Sequence, residues 1–237
     1  MFKTNFQLLS HGNKGAQPNI GRAGTRDLRE RMFMVEKRKK WKVKIERPEE
    51  VYGDPSSYYT EEEIERYARS GGMKRAQERI AHRILELLGL KKGSKLLDLG
   101  CGVGFTTEVY RKEGYEVIGL DILPKMLEKA KEKGLKVKEG DMRELPKLFE
   151  REEFDAVVSA SALQWIKERE DIEKLVSGIR YVLKKGGKLV IQFYPKSQKE
   201  LWRVARLFKK EGFEGEVVID NPDNPRKRRI YLSMRVK

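Results

Sequence analysis

Apolar and polar positions follow two different periods along this chain. After Thr60, whose T-E-E-E start marks a helix N-cap, a helix is predicted over Glu61–Leu88, interrupted at Gly71-Gly72. Met73, Ala76, Ile80, Ile84 and Leu87 line one face of its second half, the stripe of a helix packed on a core. His82 falls in the same pattern as a packed or solvated side chain. From Lys95 onward short apolar runs alternate with helical stretches. Strands are predicted at Lys95–Leu99, Tyr115–Leu120, Leu135–Gly140, Phe154–Ser159, Lys188–Phe193, Glu216–Ile219 and Arg229–Val236, and Gly186-Gly187 is expected to close a helix before the fifth. Five alternating units and a terminal hairpin predict an α/β fold. Its sheet has seven strands, mostly parallel with an antiparallel last strand, and helices on both faces. In the usual strand order the third strand lies at a sheet edge. Residues 10–26 are polar and glycine-rich and read as disordered. The chain therefore divides into a basic, disordered extension (1–44) and a folded domain (45–237). The domain has a helical cap over 45–90 and a doubly wound core over 91–237. Met32 and Met34 offer alternative starts, which would leave 1–31 outside the native protein.

The first strand ends L-L-D-L-G-C-G-V-G, an apolar run, an acid and three glycines at single-residue spacing. Glycines let the chain turn sharply at a strand's carboxyl end and bring bare backbone next to a ligand. The helix beginning near Phe105 offers its N-terminal amides there. Gly100, Gly102 and Gly104 do not have the G-x-G-x-x-G spacing of dinucleotide folds. Their pattern resembles motif I of the Rossmann-like, class I methyltransferases, D-x-G-x-G-x-G, which bind S-adenosylmethionine. Asp98 is then a cofactor-site residue; its alternative role is to order the loop by accepting backbone N–H bonds.

The next two strands also end in acids. Asp121 closes Y-E-V-I-G-L, near the ribose-binding position of such folds, where a carboxylate accepts both hydroxyls. Ile122 beside it is grouped with the cofactor site. Asp141-Met142 closes the third strand. In the methyltransferase pattern the acid meets the adenine amine and the following backbone N–H meets the ring. Each acid alone also suits a helix cap or a turn.

The fourth strand, F-D-A-V-V-S-A-S-A-L-Q-W, faces the methyl donor at its tip. Ser159 is assigned to the cofactor. Ser161, Gln164 and Trp165 follow with no strong base among them. The fifth strand ends Q-F-Y-P and brings Tyr194 to the next tip. Gln164, Trp165 and Tyr194 suit the positioning of a planar base, stacked and read at its edge. The alternative for Trp165 and Tyr194 is a core aromatic with its polar tip in water. No residue of the set is assigned as a catalyst.

Charge narrows the partner. The net charge is +15, yet residues 45–225 hold equal numbers of acids and bases. The excess lies in 1–44, with twelve Lys/Arg against three Asp/Glu, and in 226–237, with six Lys/Arg and no acid. Basic ends of this kind contact phosphate backbones or simply solubilise the chain. Charged residues make up 38% of the chain, and 28 Glu stand against 6 Gln, a composition resembling that of thermophile proteins. Without an apolar stretch of ~20 residues no membrane span is expected. Neither is a signal peptide, which makes the cytoplasm the expected location. Cys101, His11 and His82 are too few for a zinc site of this chain's own.

R-P-E-E-x-Y near the start, S-A-L-Q-W, Q-F-Y-P and G-F-E-G-E-V-V-I-D-N-P before a basic last strand resemble the small-subunit rRNA guanine-N(7) methyltransferases. The resemblance covers about Arg47 to Met234. It implies transfer of a methyl group from S-adenosylmethionine to N(7) of a guanosine in small-subunit rRNA during ribosome biogenesis. It also implies a small zinc-binding activator protein as partner. The eukaryotic members carry a long basic C-terminal tail; this chain stops at Lys237, which points to an archaeal-type member. Two other readings stand beside it. One is an S-adenosylmethionine-binding ribosome assembly factor with incidental catalysis; the other is a methyltransferase acting on another RNA, a protein or a small molecule.

Overall fold

A computed structural model describes residues 47–237 and the backbone of Leu8–His11. The sheet is built from β1 (Leu8–His11), β2 (Lys95–Leu99), β3 (Glu116–Asp121), β4 (Val137–Glu139), β5 (Phe154–Ala160), β6 (Leu183–Phe193), β7 (Phe213–Asp220) and β8 (Arg229–Val236). Their order is β1-β7-β8-β6-β5-β2-β3-β4, and only β8 runs against the rest. The seven expected strands are all present, with β4 at the expected edge. Two expectations change. Leu8–His11, read as part of a disordered extension, pairs parallel with Val217–Asp220 and adds an eighth strand. Gly186-Gly187 does not end a helix but lies inside β6, where the pairing with β5 jumps between Phe154 and Ala156. The remainder of the predicted extension lies outside the described residues.

Helices α1 (Pro48–Val51), α2 (Pro55–Tyr58), α3 (Glu61–Arg69) and α4 (Gly71–Leu88) precede the core. They are followed by α5 (Phe105–Lys112), α6 (Pro124–Glu132), α7 (Leu145–Leu148), α8 (Arg169–Val182) and α9 (Gln198–Lys210). The Thr60 hydroxyl accepts the Glu63 N–H, as its N-cap position requires. The break in the long helix falls at Ser70 and not at the glycines. Ser70 is extended, and its hydroxyl accepts the Met73 N–H, so Gly71 and Gly72 open α4.

One sheet face, with Leu97, Leu99, Val157, Ile191 and Leu232, packs on α8 and α9. The opposite face, with Leu96, Val158, Val190 and Tyr231, packs on Ile80, Ala81, Ile84 and Leu88 of α4 and on Val109 and Tyr110 of α5. The buried stripe of α4 is thus rotated from the expected one. Gln77 and Leu88 enter it, Ala76 and Leu87 are only partly covered, and Met73 is 40% exposed. His82 is exposed, in keeping with the solvated reading. A third cluster joins Ile64 of α3 to Val103, Phe105 and Met126, with Tyr59 and Tyr67 packed against it. Through it α3 lies across the glycine loop, and Glu61 and Glu65 pair with Lys125 and Lys129 of α6 to hold it there. Among the described residues no helix is long and apolar enough to cross a membrane.

Candidate active site

The parallel register brings the tips of β2, β3, β5 and β6 side by side: Leu99 is level with Leu120 and Ser159, and Ser159 with Ile191. Beyond Leu99 the backbone turns with φ of +69° at Gly100, +54° at Gly102 and +81° at Gly104. These left-handed values strain any side chain, but the space around the three glycines differs. A Cβ on Gly100 would stand 2.3 Å from that of Ala162, and one on Gly104 would stand 2.3 Å from Leu135 Cδ1. Both glycines permit packing inside the protein. At Gly102 alone an added Cβ would meet no close neighbour, the nearest atom being Met126 Sδ at 3.9 Å.

Asp98 and Asp121 hold the loop from two sides. Asp98 is fully buried. Its Oδ2 accepts the Thr106 and Thr107 hydroxyls, each at 2.7 Å. The expected backbone amides are not its partners; the first turn of α5 supplies hydroxyls instead. Its Oδ1 is buried with no partner. Burial, against the two hydroxyl bonds and with Asp121's charge adding to it, pushes the carboxyl up to about 6. Asp121 accepts the Gly102 N–H at 2.8 Å and the Leu123 N–H at 3.0 Å, one on each oxygen. Each oxygen keeps a further lone pair for an incoming hydroxyl. Burial raises this carboxyl too, opposed by those backbone bonds. Ile122, next to it, is 45% exposed and presents an apolar side chain beside the acid.

Asp141 is not free for a ligand in the way expected. It accepts the Arg143 backbone N–H at 2.8 Å and its guanidinium, which also reaches Asp171. Burial raises its carboxyl, and the Arg143 bonds outweigh it and hold the group below its ordinary range. Met142 follows, with its Cε 3.4 Å from where a Gly100 Cβ would stand. Ser159 is a correction. Its hydroxyl is buried and donates to the Leu99 carbonyl at 2.9 Å, tying β5 to β2 below the pocket.

On the side facing away from Asp121, Ser161 sits at φ +59°, a conformation that costs a serine energy and marks a constrained corner. Its hydroxyl donates to Gln192 Oε1 at 2.8 Å. Gln164 Nε2 donates to the Ser161 carbonyl at 2.8 Å, while Gln164 Oε1 and Gln192 Nε2 are buried without partners. Trp165 stands among aromatics that the sequence did not mark as a group. Its ring centroid lies 6.1 Å from Tyr58 and 5.9 Å from Tyr59. From there Tyr59 contacts Tyr67, and Tyr67 stacks on Phe105 of the glycine-loop helix. Burial pushes the Tyr67 hydroxyl up to about 12, and the charge of Asp121 reaches both Tyr59 and Tyr67. Tyr194 is fixed through its carbonyl, which accepts from Arg47 Nη1 at 2.7 Å. Gln192 was legible as a lone amide in an apolar strand. The tyrosines of α2 and α3 gave no such signal, since their spacing suits a core as well.

The atoms at these strand tips fit S-adenosylmethionine. Gly102 leaves open space, Gly104 caps α5 with no side chain, Asp121 retains acceptor capacity, and a buried carboxylate oxygen on Asp98 lacks a donor. Among the described residues no cluster of metal-ligating side chains forms.

Known proteins agree with this geometry. The family described as "Methyltransferase domain" matches residues 97–191. The 18S rRNA (guanine-N(7))-methyltransferase of Schizosaccharomyces pombe is 31% identical, covering 79% of this chain and 74% of that protein. The 18S rRNA (guanine(1575)-N(7))-methyltransferase of Saccharomyces cerevisiae is 34% identical over 76% of this chain and 69% of that one. Among solved structures, a Haemonchus contortus phosphoethanolamine N-methyltransferase in complex with S-adenosyl-L-methionine superposes with a TM-score of 0.62 at 21% identity, covering 77% of this chain and 58% of that one. A Haloferax volcanii methyltransferase in complex with the Trm112 methyltransferase activator superposes with a TM-score of 0.57 at 16% identity, covering 74% and 98%.

Proposed function

Since the chain belongs to the family of 18S rRNA (guanine-N(7))-methyltransferases, we propose that it methylates N(7) of a guanosine in small-subunit rRNA, with S-adenosylmethionine as donor. One observation of this structure carries the reading. The residues at the tips of β5 and β6 are Ser161, Gln164, Trp165 and Tyr194, and none of these four carries a carboxylate or imidazole to take a proton.

That composition matches the acceptor. Guanine N(7) carries an in-plane lone pair and no proton, so the attack needs no general base. The bound donor supplies an already activated methyl on a sulfonium. What remains for the protein is alignment, which is worth up to ~7–11 kcal/mol in favourable cases. Asp121 would hold the ribose hydroxyls, Ile122 the adenine face and the Met142 backbone the ring edge, while the Asp98 carboxylate offsets positive charge beneath the loop. Trp165 with Tyr58 and Tyr59 offers faces for stacking an unpaired base.

The hairpin loop between β7 and β8 supports an RNA substrate. It carries Arg226, Lys227 and Arg228 at the carboxyl end of the sheet, with Arg229 opening β8, beside the β6 tip that leads to Tyr194. The sheet edge supports the activator partner implied by the family. Among the described residues β4 pairs only with β3. Apolar Ile118, Leu135, Val137, Leu148 and Phe149 form a groove there, rimmed by Lys131, Lys136, Lys138 and Lys147. Lys138 lies over the Phe149 ring, the kind of charge with which proteins guard an edge. A strand or loop of the activator would replace that guard.

The test is direct. The full chain is incubated with labelled methyl donor and small-subunit rRNA, and the modified nucleotide is mapped. Label at N(7) of one guanosine is the expected result. Label on another atom or molecule, or none with donor bound, would overturn the proposal.

A further inference from the structure

Adenine N(7) bears the same kind of lone pair as guanine N(7), so the transfer chemistry does not by itself choose guanine. Choice needs a group that reads the far edge of the base. With N(7) turned toward the methyl donor, the Watson–Crick edge faces away from it. Guanine presents two donors there, N1–H and the N2 amine. Adenine presents a bare N1 acceptor and no N2 amine. Two adjacent donors call for a carboxylate.

The target side holds one carboxylate that no other role absorbs. Glu49 of α1 is only 6% exposed. No other residue donates a hydrogen bond to its side chain, and it has no ion pair within bonding distance among the described residues. Its neighbour Glu50 is the one that pairs with Lys196, at 3.6 Å. The segment carrying Glu49 is pinned at both ends to the target side. Arg47 grips the Tyr194 carbonyl and places its guanidinium 6.0 Å from the Tyr194 ring centroid. Tyr52, at the other end of α1, contacts Tyr58 at 5.2 Å, and Tyr58 contacts Trp165. The segment carrying Glu49 therefore runs between the β6 tip and the aromatic wall. Burial raises the Glu49 carboxyl, opposed first by the bond from its own backbone N–H and then by the charges of Arg47 and Lys196. A covered carboxylate whose donor is its own backbone N–H keeps further lone pairs for a ligand's donors to fill.

We propose that Glu49 is the residue that selects guanine, accepting N1–H and the N2 amine of a target base stacked against the Tyr58–Trp165 wall. The inference rests on the guanine-N(7) reading above and names the reader within that site. It gives the R-P-E-E segment a chemical purpose: Arg47 anchors, Pro48 starts the helix turn, and Glu49 recognises.

The test uses the full chain and synthetic RNA spanning the mapped guanosine, with guanosine, inosine or adenosine at that position. Inosine keeps N1–H and N(7) but lacks the N2 amine. For the unaltered protein, inosine should lower kcat/KM about 10–100-fold, the range expected when a built polar site loses one partner. E49Q and E49A should lower kcat/KM for guanosine by a similar factor, and should no longer distinguish guanosine from inosine. Their S-adenosylmethionine affinity should match that of the parent and their melting temperature should not fall below it, which separates reading from folding. An inosine penalty that persists undiminished in E49A, or full guanosine activity in E49Q, would overturn the assignment while leaving the guanine-N(7) reading intact. Absence of N(7) product from the unaltered protein would instead remove the reading on which it rests.

Discussion

Replacing Asp98 by Asn should stabilise the ligand-free protein at neutral pH and weaken its hold on S-adenosylmethionine. Asp98 is fully buried, its Oδ2 takes two hydroxyl bonds, and its Oδ1 has no partner. Its carboxyl is raised in the folded chain from 3.8 to about 6. A tenfold change in proton affinity corresponds to about 1.4 kcal/mol, so ionising this group in place costs on the order of 3 kcal/mol. Between 3.8 and about 6 the folded state holds the proton more tightly than the unfolded one, so this group's contribution declines as pH rises through that window and levels off above it. D98N keeps an oxygen for the two hydroxyls and carries no charge. Its stability advantage over the parent should therefore be largest at pH 7–8 and shrink by about 3 kcal/mol toward pH 4. For a domain of this size that is roughly 6–12 °C in melting temperature. Thermal melts of both proteins from pH 4 to pH 8, without donor, measure the difference. A gap independent of pH, or one that widens toward acid, would refute the reasoning. Calorimetry should also record weaker donor binding in D98N, because the charge left unpaired at Oδ1 is the one that a cationic ligand group offsets.

Asp121→Ala should weaken S-adenosylmethionine binding by roughly 1.5–3 kcal/mol per lost charged hydrogen bond, and unchanged affinity by calorimetry would remove Asp121 from the site. Neutralising Arg226, Lys227, Arg228 and Arg229 together should weaken RNA binding and flatten its dependence on salt, with donor affinity unchanged; an unaltered salt slope in a filter-binding titration would place the RNA elsewhere. Val137→Pro should abolish co-purification with the activator and leave the isolated fold nearly intact. Gly119 N–H bonds the Lys136 carbonyl and Gly140 N–H bonds the Asp121 carbonyl, so by alternation the Val137 N–H points away from β3. Equal co-purification of both proteins would move the interface off this edge.

From Lys95 onward the sequence of strands, the parallel core with its reversed last strand, the glycine turn and the acids at three successive strand tips were legible from residue order. Each depends on local periodicity or on a residue type that only one backbone conformation accommodates. What each side chain does there was not legible. Asp98 and Ser159 both sit at strand tips, yet strand register turns one carboxylate oxygen toward two threonines and the serine hydroxyl toward the Leu99 carbonyl. Gly100 and Gly104 read like Gly102 until Ala162 and Leu135, tens of residues away in sequence, come to rest against them. The helix break fell at Ser70 because a hydroxyl cap decided the boundary ahead of the glycines. The aromatic wall and the buried Glu49 arise only when the segment before α4 folds back across the sheet and Arg47 meets Tyr194, 147 residues further along. Spacing along a chain determines periodic faces and turns. Contacts between distant segments are decided by packing, because the same apolar and aromatic residues suit several partners until the whole core has closed.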